Sequence, residues 1–371
     1  MKEATFLLKD TLQPLSQRLQ REGLDALLLG PSSDLEYLAG LRLFADERFK
    51  GIVLLSDGRL FSIVPRLYRE QMEAVLGPEC PQALWDDAEG FLEKVTALWK
   101  DFGLEGKTVA VNDGVRAVDL LDLEAAVPGT RFVNGHRIVE AMRLIKSPEE
   151  MDVLRHAARI ADEAFSALLP FIRPGVREGE VARKLEDLLV EKGADGLSFP
   201  TIVASGPNGS NPHYMGKSRV LCEGDPVVID FGCTFQGYCS DTTRTVFVGK
   251  ASDEDRALYR VVLEANLAGE AAAREGATAQ DVDRATRSVI EKAGYGKYFI
   301  NRTGHGIGVA VHEAPYIMEG NLQVLEKGMA FSVEPGIYIP GRLGIRIEDI
   351  VLVTDRGPEP LSHFTKEITI V

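Results

Sequence analysis

Val227-Val228-Ile229-Asp230-Phe231-Gly232, followed shortly by Ser240-Asp241-Thr242-Thr243, decides how this chain is read. Val227 to Ile229 is a β-branched run, predicted as a buried strand that ends on a carboxylate. Tyr238 to Val248 alternates as the next strand, with Gly237 as a turn residue between the two. A turn centred between Phe235 and Gln236 sets Asp230 opposite Asp241 in an antiparallel pair, with Cβ atoms about 4.5–5.5 Å apart. Like charges so placed are destabilising unless a cation lies between them. Phe-Gln is not the Asn-Gly type of sequence that a two-residue hairpin prefers. On its own the stretch reads more simply as a hairpin with two solvated aspartates; residues farther along reverse that balance.

Three later segments carry further ligand-type side chains. Thr303-Gly304-His305-Gly306-Ile307-Gly308 surrounds a histidine with glycines, which permits close backbone approach and opposes a stable helix. His312 follows at an odd separation, so in a plain strand the two imidazoles point to opposite faces. Without an intervening bend they cannot hold one ion together, and different roles are expected for them. Glu334 precedes Pro335 and is therefore held extended. Gly344 to Asp349 is a strand in which Arg346 and Glu348 share a face. Each segment alone is explained by a turn, a strand end or a solvated face. Together they supply two Asp, one His and two Glu, a hard, oxygen-rich set apt for two divalent ions. Mn2+ suits it, and Zn2+, Co2+ or Fe2+ are also accommodated. Paired ions about 3.5–4 Å apart suit hydrolysis. Four carboxylates nearly neutralise two dications.

A chain of 371 residues exceeds what one hydrophobic core usually organises, so two domains are expected. Its 45% hydrophobic and 26% charged residues are those of a soluble globular protein. The net charge of −14 argues against nucleic-acid or anionic-membrane binding, which needs clustered Lys and Arg. The four cysteines, Cys80, Cys222, Cys233 and Cys239, form no Cys-x-x-Cys pair and read as reduced, mostly buried thiols. A Cys233–Cys239 disulfide across the turn is the minor alternative. The first residues hold no apolar run long enough for a signal peptide or membrane span, so a cytoplasmic location is expected.

The first 140 residues alternate predicted strands and helices, an α/β pattern. Helix is expected at Leu12–Glu22, Pro65–Val75 and Ala88–Phe102, with a short one after the loop Gly30–Asp34, and strand at Asp25–Leu29, Gly51–Leu55, Leu60–Val64, Thr108–Val111 and Arg131–Val133. His136 is expected to be structural or exposed. Ser147-Pro148-Glu149-Glu150 marks a helix start and the domain boundary, leaving residues 141–371 as the second domain. Helices to about Leu169, then Glu178–Lys192, Asp253–Glu275 and Ala279–Ala293, are each pair followed by strands, which hints at an internal duplication. Ser205 to Tyr214 is a loop by its Gly, Pro and Asn content, and a lone loop histidine such as His213 is more often a surface residue.

Asp230, Asp241, His305, Glu334 and Glu348, in this order within IDFG, SDTTRT, GHGIG, VEPG and RIED, resemble the ligand set of the pita-bread metallopeptidases. That family, M24, includes aminopeptidase P, prolidase and methionine aminopeptidase, with creatinase as a relative lacking the metals. GLDALLLGPSSDLEYLAG (residues 23–40) is similar to the creatinase-type N-terminal domain of the Xaa-Pro branch. The resemblance implies an α/β creatinase-type N-terminal domain and an α+β pita-bread catalytic domain. It implies that Asp230 binds one metal, Asp241 and Glu348 bridge two, and His305 and Glu334 complete the site. It implies substrate contact by His213, stabilisation of the intermediate or proton delivery by His312, and proton transfer by Glu334. Arg346 would orient the bridging carboxylates, with Tyr338 near the site.

The activity so implied is hydrolysis between an N-terminal residue and proline, by a homodimer acting on peptides with proline second. Some microbial prolidases place an arginine where Tyr316 stands here. An arginine suits the free carboxylate of an Xaa-Pro dipeptide, and a tyrosine cannot neutralise it. Xaa-Pro aminopeptidase is therefore the expectation, with Arg342 as the cation that would make Xaa-Pro dipeptidase the alternative. A metal-free creatinase-like hydrolase or a peptide-binding module is a remoter reading, since no ligand position is lost.

Overall fold

The computed structural model describes residues 4–371 and divides into two compact units, Met1–Arg143 and Leu144–Val371. In the first, α1 (Ala4–Arg21) turns at Gly23, φ 68°, into β1 (Ala26–Leu29). There follow α2 (Ser33–Ala39), β2 (Gly51–Leu55), β3 (Leu60–Pro65), α3 (Arg69–Leu76) and β4 (Gln82–Trp85). The unit continues with α4 (Leu92–Asp101), β5 (Thr108–Val111), α5 (Ala117–Ala126), β6 (Arg131–Asn134) and α6 (His136–Arg143). The sheet order is β4-β3-β2-β1-β5-β6, with β1 antiparallel to β2 and parallel to β5. Side chains alternate across a strand, so β1 feeds two cores. Leu27 and Leu29 pack with Leu15 and Leu19 of α1, while Ala26 and Leu28 pack with Trp99 of α4 and Leu123 of α5. This is the α/β arrangement expected, with helices packed on both faces of the sheet. The expected helices and strands are present, and β4, α5 and α6 are additions. His136 opens α6 and is partly exposed.

The loop before β2 buries a cation. Lys50 is 1% exposed, and its ammonium is ion-paired with Asp46. Tyr68 donates to the same carboxylate at 2.9 Å. Burial works to raise the Asp46 pKa, but bonds from Lys50, the Arg48 amide and Tyr68 outweigh it and lower it to about 2.

The second unit opens with α7 (Pro148–Leu168), whose N-terminus is closed reciprocally. The Glu150 amide donates to Ser147 Oγ at 3.2 Å, and the Ser147 amide donates to Glu150 Oε2 at 2.6 Å. Then come α8 (Glu178–Glu191), β7 (Gly196–Leu197), β8 (Ile202–Ser205), β9 (Pro226–Phe231), β10 (Cys233–Phe235), β11 (Tyr238–Cys239) and β12 (Thr242–Phe247). A second helix pair, α9 (Asp253–Ala272) and α10 (Ala279–Lys292), leads to β13 (Gly304–Gly306), β14 (Glu313–Ile317) and β15 (Ala330–Val333). The last strands are β16 (Gly336–Ile339), β17 (Leu343–Arg346), β18 (Asp349–Thr354), β19 (Gly357–Pro360) and β20 (Thr369–Ile370). The two larger sheets run β20-β12-β9-β8 and β14-β13-β15-β18-β19. Helices beside largely antiparallel sheets make this unit α+β, as expected.

Alternation along β9 sets the site. Val227, Ile229 and Phe231 pack into the core beneath α7 and α8, whereas Val228 lies on the other face with Ile202 and Ala204. Asp230 follows Val228 onto that second face. The predicted register needs correction. The turn is Gln236-Gly237, since Phe235 pairs with Tyr238, and both turn residues have positive φ, 49° and 83°. Two left-handed residues make a type I′ turn, matched to strand twist. Gln236 tolerates this place because its amide donates to Asp195 at 2.6 Å. Asp230 therefore pairs with Thr243 rather than Asp241. The register moves by two residues, which leaves Asp241 a diagonal neighbour on the same face. Between them the ribbon changes sheet at Gly232, where a Cβ would lie 1.9 Å from the Ser240 carbonyl oxygen. All four cysteines are free, including Cys233 and Cys239. No helix among the described residues is long and apolar enough to cross a membrane.

Candidate active site

A cavity of about 640 Å3 in the second unit is lined by Asp230, Asp241, His305, Glu334 and Glu348, and by His213, His312 and Arg346. Five separate stretches converge on it. β9 brings Asp230, the turn into β12 brings Asp241, and β13 brings His305. Glu334 leaves β15 and Glu348 lies between β17 and β18. Asp241, His305 and Glu348 each offer a ligand atom, all within 4.8 Å of one another. Glu334 Oε1 lies 3.4 Å from His305 Nε2, and Asp241 Oδ2 lies 3.6 Å from it. Asp230 instead accepts from Arg346 Nη2 at 2.6 Å.

The imidazole of His305 reveals what the cluster is built to hold. Its Nδ1 is 3.1 Å from the Gly306 carbonyl, an acceptor only, so Nδ1 carries the proton. Burial, and then the neighbouring His312, lower its pKa to about 3, so the ring is neutral. Nε2 therefore aims a lone pair at two carboxylates. Acceptors face acceptors, an arrangement that a bound cation resolves. The carboxylates are in the same position. Burial, then repulsion from Glu348, Asp230 and Glu334, raises the Asp241 pKa. Burial, then Glu334 and Asp230, raises that of Glu348. Asp230 Oδ1 and Asp241 Oδ1 are buried with no hydrogen-bond partner. The residues present thus fit divalent metal.

Behind the cluster, Thr243 is a junction. Its hydroxyl donates to Glu348 Oε2 at 2.5 Å and accepts from Arg346 Nε at 2.9 Å. Arg346 also donates to the Tyr338 hydroxyl at 3.0 Å, which places Tyr338 behind the arginine rather than in the cavity wall. One residue on, the guanidinium of Arg244, 1% exposed, donates to the carbonyls of Glu348, Phe364 and Thr365 at 2.7, 3.1 and 3.3 Å. It is ion-paired with Asp349 at 2.7 Å. Thr243 and Arg244 escaped the sequence reading, although both stand inside the SDTTRT motif.

The two histidines also depart from expectation. Residues 307–312 turn the chain back, so β13 and β14 are antiparallel neighbours. The rings of His305 and His312 then meet edge to face, centroids 4.0 Å apart. Their odd separation does not send them to opposite faces, because the chain reverses between them. Only His305 belongs to the converging ligand group. Burial, then Arg302, lowers the His312 pKa, so its ring too is held neutral. His213 reaches the cavity from an exposed loop.

Arg342 does not reach the cavity. It is ion-paired with Glu254 and Asp255 at 2.6 and 3.1 Å. The cavity's other cation is Arg302, which sequence reasoning missed, and its guanidinium lies over the Tyr316 ring, 4.7 Å from the centroid. An arginine close ahead of the glycine-flanked histidine was the only signal for it.

Comparison with known proteins agrees with this geometry. Residues 152–355 match the profile of metallopeptidase family M24, and residues 12–145 match the creatinase/prolidase N-terminal domain. The chain belongs to metallopeptidase family M24, and it is a metal-dependent hydrolase. It is 39% identical over 355 residues to the probable dipeptidase PepE of Mycobacterium tuberculosis, spanning 94% of this chain and 92% of that one. It is 36% identical over 368 residues to the Xaa-Pro dipeptidase of Lactobacillus helveticus, spanning 97% and 98%. The crystal structure of a Thermococcus sibiricus prolidase superposes with a TM-score of 0.94 at 36% identity, over 98% of this chain and 99% of that one. An X-Pro aminopeptidase structure from Thermotoga maritima aligns at 32% identity and a TM-score of 0.85, over 97% and 99%.

Proposed function

We propose that the protein is an Xaa-Pro dipeptidase that uses two divalent ions. The observation that carries this reading is Arg302, a guanidinium in the cavity wall set against a tyrosine ring and, among the described residues, ion-paired with no carboxylate. A dipeptide ending in proline presents a carboxylate that needs such a partner once it is buried. The expectation of longer peptides rested on Tyr316 replacing an arginine; in the fold, Tyr316 supports one. Relatives named as dipeptidases, at 36–39% identity, favour the same side.

Asp230, Asp241, His305, Glu334 and Glu348 would hold the ions, for which Mn2+ is the best match to so hard a set. When bound, the metals supply Lewis-acid polarisation of the scissile carbonyl and a more acidic water. The chain's own groups do the rest. Glu334 takes a proton from the attacking water at a carboxylate oxygen. His213 donates to the substrate carbonyl oxygen, and the neutral ring of His312 passes the proton taken by Glu334 on to the departing proline nitrogen. The apolar wall of Phe199, Ile202 and Val311 receives the pyrrolidine ring and excludes water from it.

Hydrolysis of Xaa-Pro and Xaa-Pro-Yaa peptides by Mn2+-loaded protein tests the proposal. Dipeptides are expected to show the higher kcat/KM, and Arg302→Met to lower it for them by about 10–100-fold, mostly through KM. Tripeptides cleaved as well or better, and indifferent to Arg302→Met, would establish the aminopeptidase reading instead.

A further inference from the structure

We propose that Glu178 is the positioning residue for His213: a buried carboxylate that ties together the loop presenting this histidine to the cavity. The proposal rests on the peptidase reading of that cavity. Glu178 is the first residue of α8 and is fully buried. Its oxygens are met by donors from along one loop. The Ser205 amide and hydroxyl donate to Oε1 at 2.8 and 2.7 Å, and Asn208 Nδ2 donates to it at 3.0 Å. The Tyr214 hydroxyl donates to Oε2 at 3.0 Å. Ser205 ends β8, Asn208 stands in mid-loop, and Tyr214 adjoins His213, so one carboxylate gathers the entrance, middle and exit of the loop. Arg219 completes the cluster, donating to Ser205 Oγ at 2.6 Å while ion-paired with Asp225.

The chain leaving the loop is fastened to the same helix turn. The amides of Glu178 and Gly179 donate to the carbonyls of Arg219 and Lys217 at 2.9 and 3.0 Å. A Cβ on Gly179 would lie 2.9 Å from that Lys217 oxygen, so a glycine is what allows the approach. His213 itself is exposed, and among the described residues no hydrogen bond holds its ring. Its place over the cavity is therefore set by the backbone on either side. A segment this rich in Gly, Pro and Asn has little preference of its own for one path. An acceptor-only carboxylate takes all four donors at once, whereas a glutamine turns an NH2 group against Asn208 and Tyr214. Since displacement of a reacting group by about 1 Å costs on the order of 100-fold in rate, the carboxylate governs turnover without touching substrate.

Glu178→Gln, His213→Ala and the double variant test this in metal-loaded protein. Glu178→Gln is expected to lower kcat/KM for Xaa-Pro substrates by about 10–100-fold, at unchanged metal content, and to add nothing in the His213→Ala background. Equal losses in both backgrounds would reduce Glu178 to general scaffolding and overturn the proposal. Hydrogen exchange separates it from the peptidase reading. Faster exchange confined to residues 205–216 in Glu178→Gln supports the tie, and unchanged exchange there refutes it, whether or not Xaa-Pro bonds are cleaved. Wild-type protein inert toward Xaa-Pro peptides would remove the peptidase reading and leave the exchange result to decide.

Discussion

His305 and His312 touch, yet their surroundings divide them. Nε2 of His305 points at two carboxylates, while His312 packs beside it without joining the ligand atoms. His305→Ala is therefore expected to lose metal and His312→Ala to retain it, with turnover lost in both. Metal content of the two purified variants decides the matter, and equal loss would contradict the division. Thr243 invites a subtler test, because one hydroxyl links Arg346 to Glu348. Thr243→Val keeps the shape and removes both bonds, and should weaken metal binding by about 10–100-fold. Titration of the metal-free variant, followed calorimetrically, measures this; wild-type affinity would show the hydroxyl to be incidental.

At the scale of elements, Asp46 and Lys50 offer a stability test within the first unit. Asp46→Ala strands a buried ammonium and is expected to destabilise the first unit by about 3–5 kcal/mol in urea unfolding. The pH dependence has a definite sign. The folded-state pKa is lowered from 3.8 to about 2, so this carboxylate's contribution is present above pH 3.8 and is lost as pH falls toward 2. Wild type should lose stability across that window more steeply than Asp46→Ala, and parallel curves would contradict it. Elements also show what the sequence could disclose. Capping chemistry at Ser147 and the β-branched run at Val227 are local, and both were legible. β4 has only four residues, too few for periodicity to declare, and it joins the sheet through its neighbour β3. The hairpin register hung on Gln236 adopting a left-handed conformation, and its cause, Asp195, lies elsewhere in the chain. The error cost little because a shift of two residues preserves the face. The five residues proposed as ligands were legible as residue types and line one cavity, whereas the roles proposed for Thr243, Arg302 and Glu178 rest on contacts that only the fold creates.

For the whole molecule, metal and folding are linked. A cation that binds the folded cluster and not the unfolded chain stabilises by about 2.7 kcal/mol at a hundredfold excess over Kd. Chelation should therefore lower the melting temperature of the second unit and leave the first unchanged. Calorimetry with and without chelator reads this directly, and identical traces would deny the site a metal. Arg244 extends the dependence along the chain, through its bonds to the carbonyls of Phe364 and Thr365. On the ribosome, Asp230 and Asp241 precede the rest of the cluster, and Glu348 follows Thr243 by 105 residues. Arg244 meets its last acceptors later still, when residue 365 has cleared the exit tunnel. A chain made only as far as Arg244 thus bears two of the cavity's four carboxylates without the frame that aims them, and is expected to hydrolyse nothing while its remaining third is still to be made.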